Sequence, residues 1–102
     1  MIVVIASVRV KAGKVPEFLR IFTSNVPAVK AEKGCIEYFP AVDAAVDLPP
    51  QVLDENVVTI VEKWESVQSL HDHLNTAHMA AYREKVKHLV ENVSLKVLRE
   101  AG

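Results

Sequence analysis

The chain has 102 residues, half of them hydrophobic and a quarter charged, and its 12 Lys and Arg nearly balance 13 Asp and Glu. This length and composition predict one globular domain over residues 1–102. A chain of net charge −1 with no basic stripe lacks the electrostatic signature of a nucleic-acid binder. The longest apolar run, "MIVVIASV", is too short to span a membrane, and a single cysteine excludes an intramolecular disulfide. We therefore expect a cytoplasmic protein without membrane insertion.

The first half of the chain predicts a strand, a helix and a second strand. Residues 2–10, "IVVIASVRV", are β-branched and apolar on both alternating faces, which indicates a central strand. Apolar residues at helical spacing follow, with Pro27 expected to kink or interrupt the helix and Gly34 placed to end it. Residues 35–44, "CIEYFPAVDA", predict the second strand, in which Pro40 indicates a sheet edge or a bulge.

The second half begins with a segment of no clear period. Residues 45–56 contain two prolines and predict a long loop, of the kind that often has a function. The alternating "VVTIVEKW" at 57–64 predicts a third strand. Ser66 and Thr76 are each placed to cap a helix. A fourth strand is predicted over "NVSLKVLRE", residues 92–100.

This order of elements is that of the ferredoxin-like βαββαβ fold, an α+β fold with a four-stranded antiparallel sheet and its helices on one face. The strands carry apolar side chains on both faces, so the face without helices also needs cover. Leaving about six large aliphatic side chains wet would forgo roughly 12 kcal/mol, which is comparable with the whole stability of a domain. A second copy packed sheet against sheet would supply the cover, and this predicts a homodimer.

Three of the four histidines lie in "LHDHLNTAHMAAY", residues 70–82. His71 and His73 are two residues apart and point in different directions on a helix, while His71 and His78 would lie about 10 Å apart along an unbroken one. These spacings argue against a metal site. His71, His73 and His78 flank predicted apolar stripes, from which an imidazole can reach a pocket and act as a general base. From spacing alone, a solvated histidine or one bonded to the backbone is the commoner case.

Other side chains offer less specific signals. Glu62 is in phase with apolar residues of the third strand, so we expect it to be buried. It is then either paired, with Arg83 or a histidine, or an acid/base group with a raised pKa. Trp64 and Tyr38 are expected in the core, where they could also line a pocket. With only three glycines, the chain has no phosphate-binding loop and no dinucleotide or flavin motif.

Three segments together resemble the antibiotic biosynthesis monooxygenase family: "RVKAGKVPEFLRIF", "EKGCIEYFPAVD" and "VEKWESVQSLHDHLNTAHMAAYREKV". The resemblance covers nearly the whole chain and is strongest to members that act on quinols. It implies a dimeric α+β barrel. It also implies that the enzyme oxidises a quinol or polycyclic aromatic substrate with O₂, without metal, haem or flavin. A deprotonated quinol is itself a reductant, so the substrate supplies what a cofactor usually does.

The resemblance also implies roles for individual residues. His73 and His78 become candidates for the base or for orienting the substrate, and Arg83 for stabilising negative charge on oxygen. Four aromatic residues would bind the substrate as walls of an apolar pocket: Trp64, Tyr38, Phe22 and Tyr82. The carboxyl group of Glu62 would contact the substrate inside the pocket.

Haem-degrading enzymes of the same superfamily use an Asn, Trp and His set. The corresponding positions here hold Ser7, His73 and Arg83, so the resemblance does not extend to haem degradation. Two other functions stay open, because a fold does not fix a function. One is a non-catalytic dimeric module that binds a small ligand, and the other is an isomerase or processing enzyme for a small signalling metabolite. The loop 45–56 either gates the pocket or contacts the partner subunit.

Overall fold

The computed structural model describes all 102 residues and contains four strands and three helices. In chain order the elements are β1 (Ile2–Val10), α1 (Val15–Lys30), β2 (Cys35–Ala41), β3 (Val57–Trp64), α2 (Val67–Leu74), α3 (Ala77–Val86) and β4 (Val90–Arg99). The strands form one antiparallel sheet in the order β2-β3-β1-β4. This confirms the ferredoxin-like α+β fold.

Strand β1 is central, as its apolar character on both faces predicts. It pairs with β3 on one side and with β4 on the other. The alternating residues Val4, Ala6, Val8 and Val10 are buried beneath the helices. Pro40 lies in β2, which is an edge strand, so the proline interrupts no internal ladder.

The first helix differs from the prediction in two details: Pro27 does not interrupt it, and Gly34 is not its last residue. Pro27 lies inside α1 without ending it, and the helix continues to Lys30. Gly34 lies beyond the helix, in the turn before β2, where its φ of +89° is one that L side chains rarely adopt. A Cβ atom at this position would lie 2.2 Å from Oγ of Ser69 in α2. Gly34 therefore lets this turn pack against α2.

The second helical region is divided into α2 and α3, and the predicted caps are confirmed. Ser66 accepts a hydrogen bond from the backbone N–H of Ser69, and Thr76 accepts one from that of Met79. The Thr76 hydroxyl also donates to the carbonyl oxygen of His73 at 2.9 Å. Residues 75 and 76 separate the two helices, and the rings of His73 and His78 lie on either side of this break with centroids 6.5 Å apart.

The core lies between the helices and one face of the sheet. Two apolar surfaces stay open in the single chain. On the face away from the helices, Phe39 and Leu98 are 42% and 41% exposed. On the helix side, Val93, Leu95 and Val97 of β4 are about half exposed. The homodimer that would cover such surfaces stays a prediction.

The remaining differences from the prediction concern where the strands begin and end. β2 ends at Ala41, earlier than predicted, and β4 begins at Val90, earlier than predicted. Residues 42–56 form no helix or strand, in agreement with the predicted loop.

None of the three helices combines the length and the apolar character needed to cross a membrane. The cytoplasmic location stays a prediction.

Candidate active site

A cavity of about 380 Å³ lies between the helix-covered face of the sheet and the helices α2 and α3. This volume is in the range of small-molecule sites. Most of its lining is hydrophobic, contributed by Ala6, Val8, Phe22, Ile60, Leu74, Met79, Val86, Val90, Val93 and Leu95. The polar side chains that converge on it are Tyr38, Glu62, His73, Tyr82, Arg83 and Lys87.

Three aromatic rings, those of Phe22, Tyr38 and Tyr82, build one wall of this cavity. The rings of Phe22 and Tyr38 are stacked with centroids 5.3 Å apart, and Tyr82 meets Phe22 edge-on at 5.7 Å. Burial raises the pKa of both tyrosine hydroxyls, and the nearby Glu62 carboxyl adds to the effect. Both hydroxyls therefore stay protonated at neutral pH and can donate hydrogen bonds into the cavity.

His73 is buried rather than at the edge of a helix stripe as the spacing predicts. Its side chain is 1% exposed, and the ring lies between Trp64 and Tyr38 with centroid distances of 4.6 and 5.5 Å. Nδ1 donates a hydrogen bond of 2.8 Å to Oε2 of Glu32. A carboxylate only accepts, so this bond places the hydrogen on Nδ1 and leaves Nε2 with a lone pair and no hydrogen-bond partner in the chain.

The protonation state of His73 follows from its surroundings. Burial lowers its pKa, and the positive charge of Arg83 and the neighbouring His78 act in the same direction. The hydrogen bond and charge of Glu32 oppose this effect without cancelling it. The imidazole is therefore neutral at pH 7 and is available as a base in a mostly apolar cavity.

Glu62 is buried as predicted, but its partner is neither Arg83 nor a histidine. The indole Nε1 of Trp64 donates a 3.0 Å hydrogen bond to Oε1 of Glu62. Burial raises the pKa of this carboxyl group; the bond from Trp64 lowers it, and the charge of Glu32 raises it further. Trp64 itself is fully buried behind Glu62 and His73, so it supports the cavity and does not line it.

His78 and Arg83 differ in their access to the cavity. His78 does not line it; the ring borders a separate cavity of about 160 Å³ together with Asn25. Arg83 does line the main cavity. Its Nη2 donates to the carbonyl oxygen of Leu74 at the end of α2, at 3.0 Å, and the structure gives its other nitrogens no partner. Arg83 thus brings a positive charge to the main cavity, whereas His78 does not line it.

Glu32 and Asn25 belong to this site, although the sequence gives no local signal for either. Glu32 lies within "KAEKG", a charged stretch typical of a solvated turn, yet its side chain is only 13% exposed. Asn25 Nδ2 lies 3.2 Å from Nδ1 of His78. The two residues are separated from their histidine partners by 41 and 53 positions, so only the folded chain brings them together.

A second, larger cavity of about 570 Å³ lies between the start of α1 and the loop 42–56. Its lining includes Asp43, Asp54 and Glu55 but no histidine, tyrosine or tryptophan. No three His, Cys, Asp or Glu side chains in the chain are arranged to hold a metal ion. A reaction without metal or cofactor stays a prediction. The cavity beside His73 is the one that combines apolar walls with acid/base groups.

Comparison with known proteins places these features in a family. The model of the antibiotic biosynthesis monooxygenase family matches residues 1–85. The chain is 37% identical over 101 residues to an Escherichia coli (strain K12) protein named "Probable quinol monooxygenase YgiN", covering 97% of both chains. It is also 34% identical over 99 residues to YcnE of Bacillus subtilis (strain 168), named as a monooxygenase, covering 97% and 95%.

Solved structures share the fold at lower identity. A conserved protein of Methanosarcina mazei Go1 superposes with a TM-score of 0.84 at 23% identity, covering 98% of this chain and 92% of that one. Rv0793 of Mycobacterium tuberculosis superposes with a TM-score of 0.81 at 22% identity, covering 99% and 95%.

Proposed function

The chain belongs to the antibiotic biosynthesis monooxygenase family, and from that membership and the cavity geometry we propose that it is a cofactor-independent monooxygenase of quinols or related aromatic compounds. The observation that carries the proposal is His73, a buried neutral imidazole that lines an apolar, aromatic-walled cavity and has an unpaired Nε2. The quinol class is supported by the name of the 37% identical relative.

The proposed reaction begins with proton transfer. Nε2 of His73 takes a proton from the bound substrate, and the resulting anion is electron-rich enough to give one electron to O₂. Recombination of the two radicals forms a C–O bond and gives a peroxide on the substrate carbon. The peroxide takes back the proton held by His73. The hydrogen on the same carbon is then lost as a proton, and the electron pair of that C–H bond forms a C=O bond as the O–O bond breaks. The hydroxide that leaves combines with this proton to give water. One oxygen atom stays on the substrate, and four electrons pass from the substrate to O₂ in all.

The cavity residues have distinct parts in this scheme. The stacked rings of Phe22 and Tyr38 offer an aromatic surface for a planar substrate, and the apolar walls exclude water from the anion. The guanidinium of Arg83 stabilises negative charge as it develops on oxygen. The protonated hydroxyls of Tyr38 and Tyr82 donate hydrogen bonds to the substrate oxygens.

The proposed enzyme is a homodimer that packs through the sheet face away from the helices. This assembly is supported by Phe39 and Leu98, which are exposed there, and by the half-buried Val3, Ile5 and Val61 between them. Burial of apolar surface contributes about 25 cal/mol per Å², so covering this face would stabilise the dimer substantially.

The test is oxygen consumption by the purified, metal-stripped protein, with a panel of quinols and anthrones. Each rate is compared with the spontaneous autoxidation of the same compound and with the rate in the presence of a chelator. We expect enzyme-dependent uptake that survives chelation. Saturable binding without uptake would instead indicate a ligand-binding module, and conversion of a substrate under anaerobic conditions would indicate an isomerase or processing enzyme.

A further inference from the structure

The carboxylate of Glu32 lies between two histidines, His73 and His78. Oε2 of Glu32 lies 2.8 Å from Nδ1 of His73 and 3.1 Å from Nε2 of His78. The first contact is a hydrogen bond, whereas the second is within ion-pair distance but not aligned as a hydrogen bond. A single carboxylate oxygen in a largely buried position thus faces one nitrogen of each ring.

Asn25 completes the arrangement on the far side of His78. Its amide nitrogen lies 3.2 Å from Nδ1 of His78. An amide N–H₂ only donates, so Nδ1 of His78 accepts and the ring hydrogen lies on Nε2, the atom 3.1 Å from Oε2 of Glu32. The contacts therefore have one consistent set of donors and acceptors: Asn25 donates to His78 and His73 donates to Glu32. Nε2 of His78 lies 3.1 Å from the same carboxylate oxygen without being aligned as a hydrogen bond.

We propose that Glu32 is the positioning residue of this site, that it holds His73 in the tautomer whose Nε2 faces the cavity, and that Asn25 and His78 act only by holding Glu32. His78 is then a positioning residue and not a second base. This inference rests on the proposed role of His73 in the monooxygenase reaction. It assigns a positioning role to Glu32 and Asn25, neither of which lines the main cavity.

The arrangement does more than orient the ring. When His73 accepts a proton at Nε2 it becomes an imidazolium, and the carboxylate at Nδ1 stabilises that charge in a buried place where water cannot. Replacing Glu32 by Gln keeps a hydrogen-bond acceptor but removes the charge. The chemical step should therefore slow while the cavity, and with it substrate binding, is unchanged.

The direct test reads the imidazole itself and needs no substrate. In the wild-type protein, ¹⁵N NMR shifts of His73 report which ring nitrogen carries the hydrogen, and a pH titration reports its pKa. We expect the Nδ1–H tautomer. In Glu32→Gln we expect the pKa of His73 to fall by about one pH unit, because a favourable negative charge has been lost. The charged and titratable groups around this ring and its cavity, which are the same in both proteins apart from residue 32, are Glu32, Tyr38, Glu62, His78, Tyr82, Arg83 and Lys87.

The matched control is Glu65→Gln, which removes an exposed carboxylate close to the same turn and should leave the pKa of His73 unchanged. An Nε2–H tautomer in the wild-type protein, or equal His73 pKa values in the wild type and Glu32→Gln, would overturn the proposal. The wild-type tautomer decides the point even if the variant does not fold. Since no substrate is used, this result is independent of whether oxygen uptake is found.

Kinetics then separate positioning from general structural support. With a substrate that gives oxygen uptake, Glu32→Gln should lower kcat at least tenfold with KM within about twofold, and shift the acidic limb of the rate profile to lower pH. Glu32→Asp, which retains the charge, should recover part of kcat. Equal losses in Glu32→Gln and Glu32→Asp, with no movement of the pH profile, would contradict a role through charge and tautomer.

Discussion

Nδ1 of His73 and Oε2 of Glu32 are 2.8 Å apart in a hydrogen bond that joins α2 to the turn after α1. The bond fixes the ring of a residue that is almost fully buried and that lines the cavity, and it leaves the other ring nitrogen without a hydrogen-bond partner in the chain. A histidine that is oriented by a carboxylate and surrounded by aromatic rings is suited to proton transfer. The same histidine at an exposed helix edge would simply be solvated.

Replacing His73 by Asn should remove most of the catalytic activity. Loss of a general base typically costs about 10²- to 10⁴-fold in rate, and we expect kcat for oxygen uptake to fall by at least about 10²-fold. His71→Asn is the matched control, because His71 lies in the same helix but is exposed. Similar rates for the two variants would show that His73 is not the base.

Activity should also depend on pH in a way that follows from the lowered pKa of His73. The neutral imidazole is the active form, so kcat/KM should fall on the acidic side with a midpoint below 6.5. Trp64 is the only tryptophan and its ring lies 4.6 Å from that of His73. A protonated imidazole quenches a neighbouring indole, so Trp64 fluorescence should show a step at the same pH. The step should be absent in His73→Asn; its persistence there would assign the titration to another group.

Glu62→Gln should change how stability varies with pH. The pKa of Glu62 is raised in the folded protein, so the folded chain binds this proton more tightly than the unfolded chain. The stability that results is present below pH 4.5 and is lost as the pH rises through the folded pKa. In urea unfolding we therefore expect the variant to gain stability relative to the wild type between pH 4.5 and pH 8. Glu65→Gln, at an exposed position, should show no such trend, and a parallel pH dependence of Glu62→Gln and wild type would contradict the raised pKa.

The sequence predicts the helices and strands of this molecule well because they depend on local residue patterns. Alternation in residues 2–10 and 57–64 identifies the two central strands, and Ser66 and Thr76 mark both helix starts. These signals depend only on side chains within a few positions of one another, so they can be recognised without knowledge of the tertiary structure. Gly34 was less predictable because its role depends on Ser69, which is 35 residues away along the chain.

The candidate site could be predicted only in part. The resemblance directs attention to His73 and Arg83, and the structure places both at the cavity. It gives no means of separating His73 from His78, because spacing does not show which ring the break at Thr76 turns inward. Glu32 looks like a solvated charge in sequence. Its role depends on a contact with His73 that forms only when α2 packs beside the turn after α1.

Enlarging Ala6 should obstruct the cavity without removing any acid/base group. Ala6 lies in β1 and its side chain faces the cavity beside residues of β4. Ala6→Leu should fill part of the 380 Å³ volume and raise KM for a bulky aromatic substrate by about tenfold or more, with a smaller effect on a small quinol. Ala80→Leu, on the exposed side of α3, is the control for a leucine that does not enter the cavity. Equal KM values in the two variants would place the substrate elsewhere.

The proposed dimer can be tested by placing a charge on the open face of the sheet. Phe39 is 42% exposed there and pairs with Val61 across β2 and β3. In a dimer packed through this face, Phe39→Glu would bury an unpaired carboxylate at the interface, which is strongly unfavourable. In the single chain the same side chain would stay in water, so the fold should persist.

We expect sedimentation velocity to show a dimer for the wild type and a folded monomer for Phe39→Glu. Val67→Glu is the control, since Val67 is a similarly exposed apolar residue that lies in the first turn of α2, on the helix side of the sheet. A monomeric wild type at micromolar concentration, or an unchanged dimer in Phe39→Glu, would rule out assembly through this face. A monomer produced by Val67→Glu instead would place the interface on the helix side.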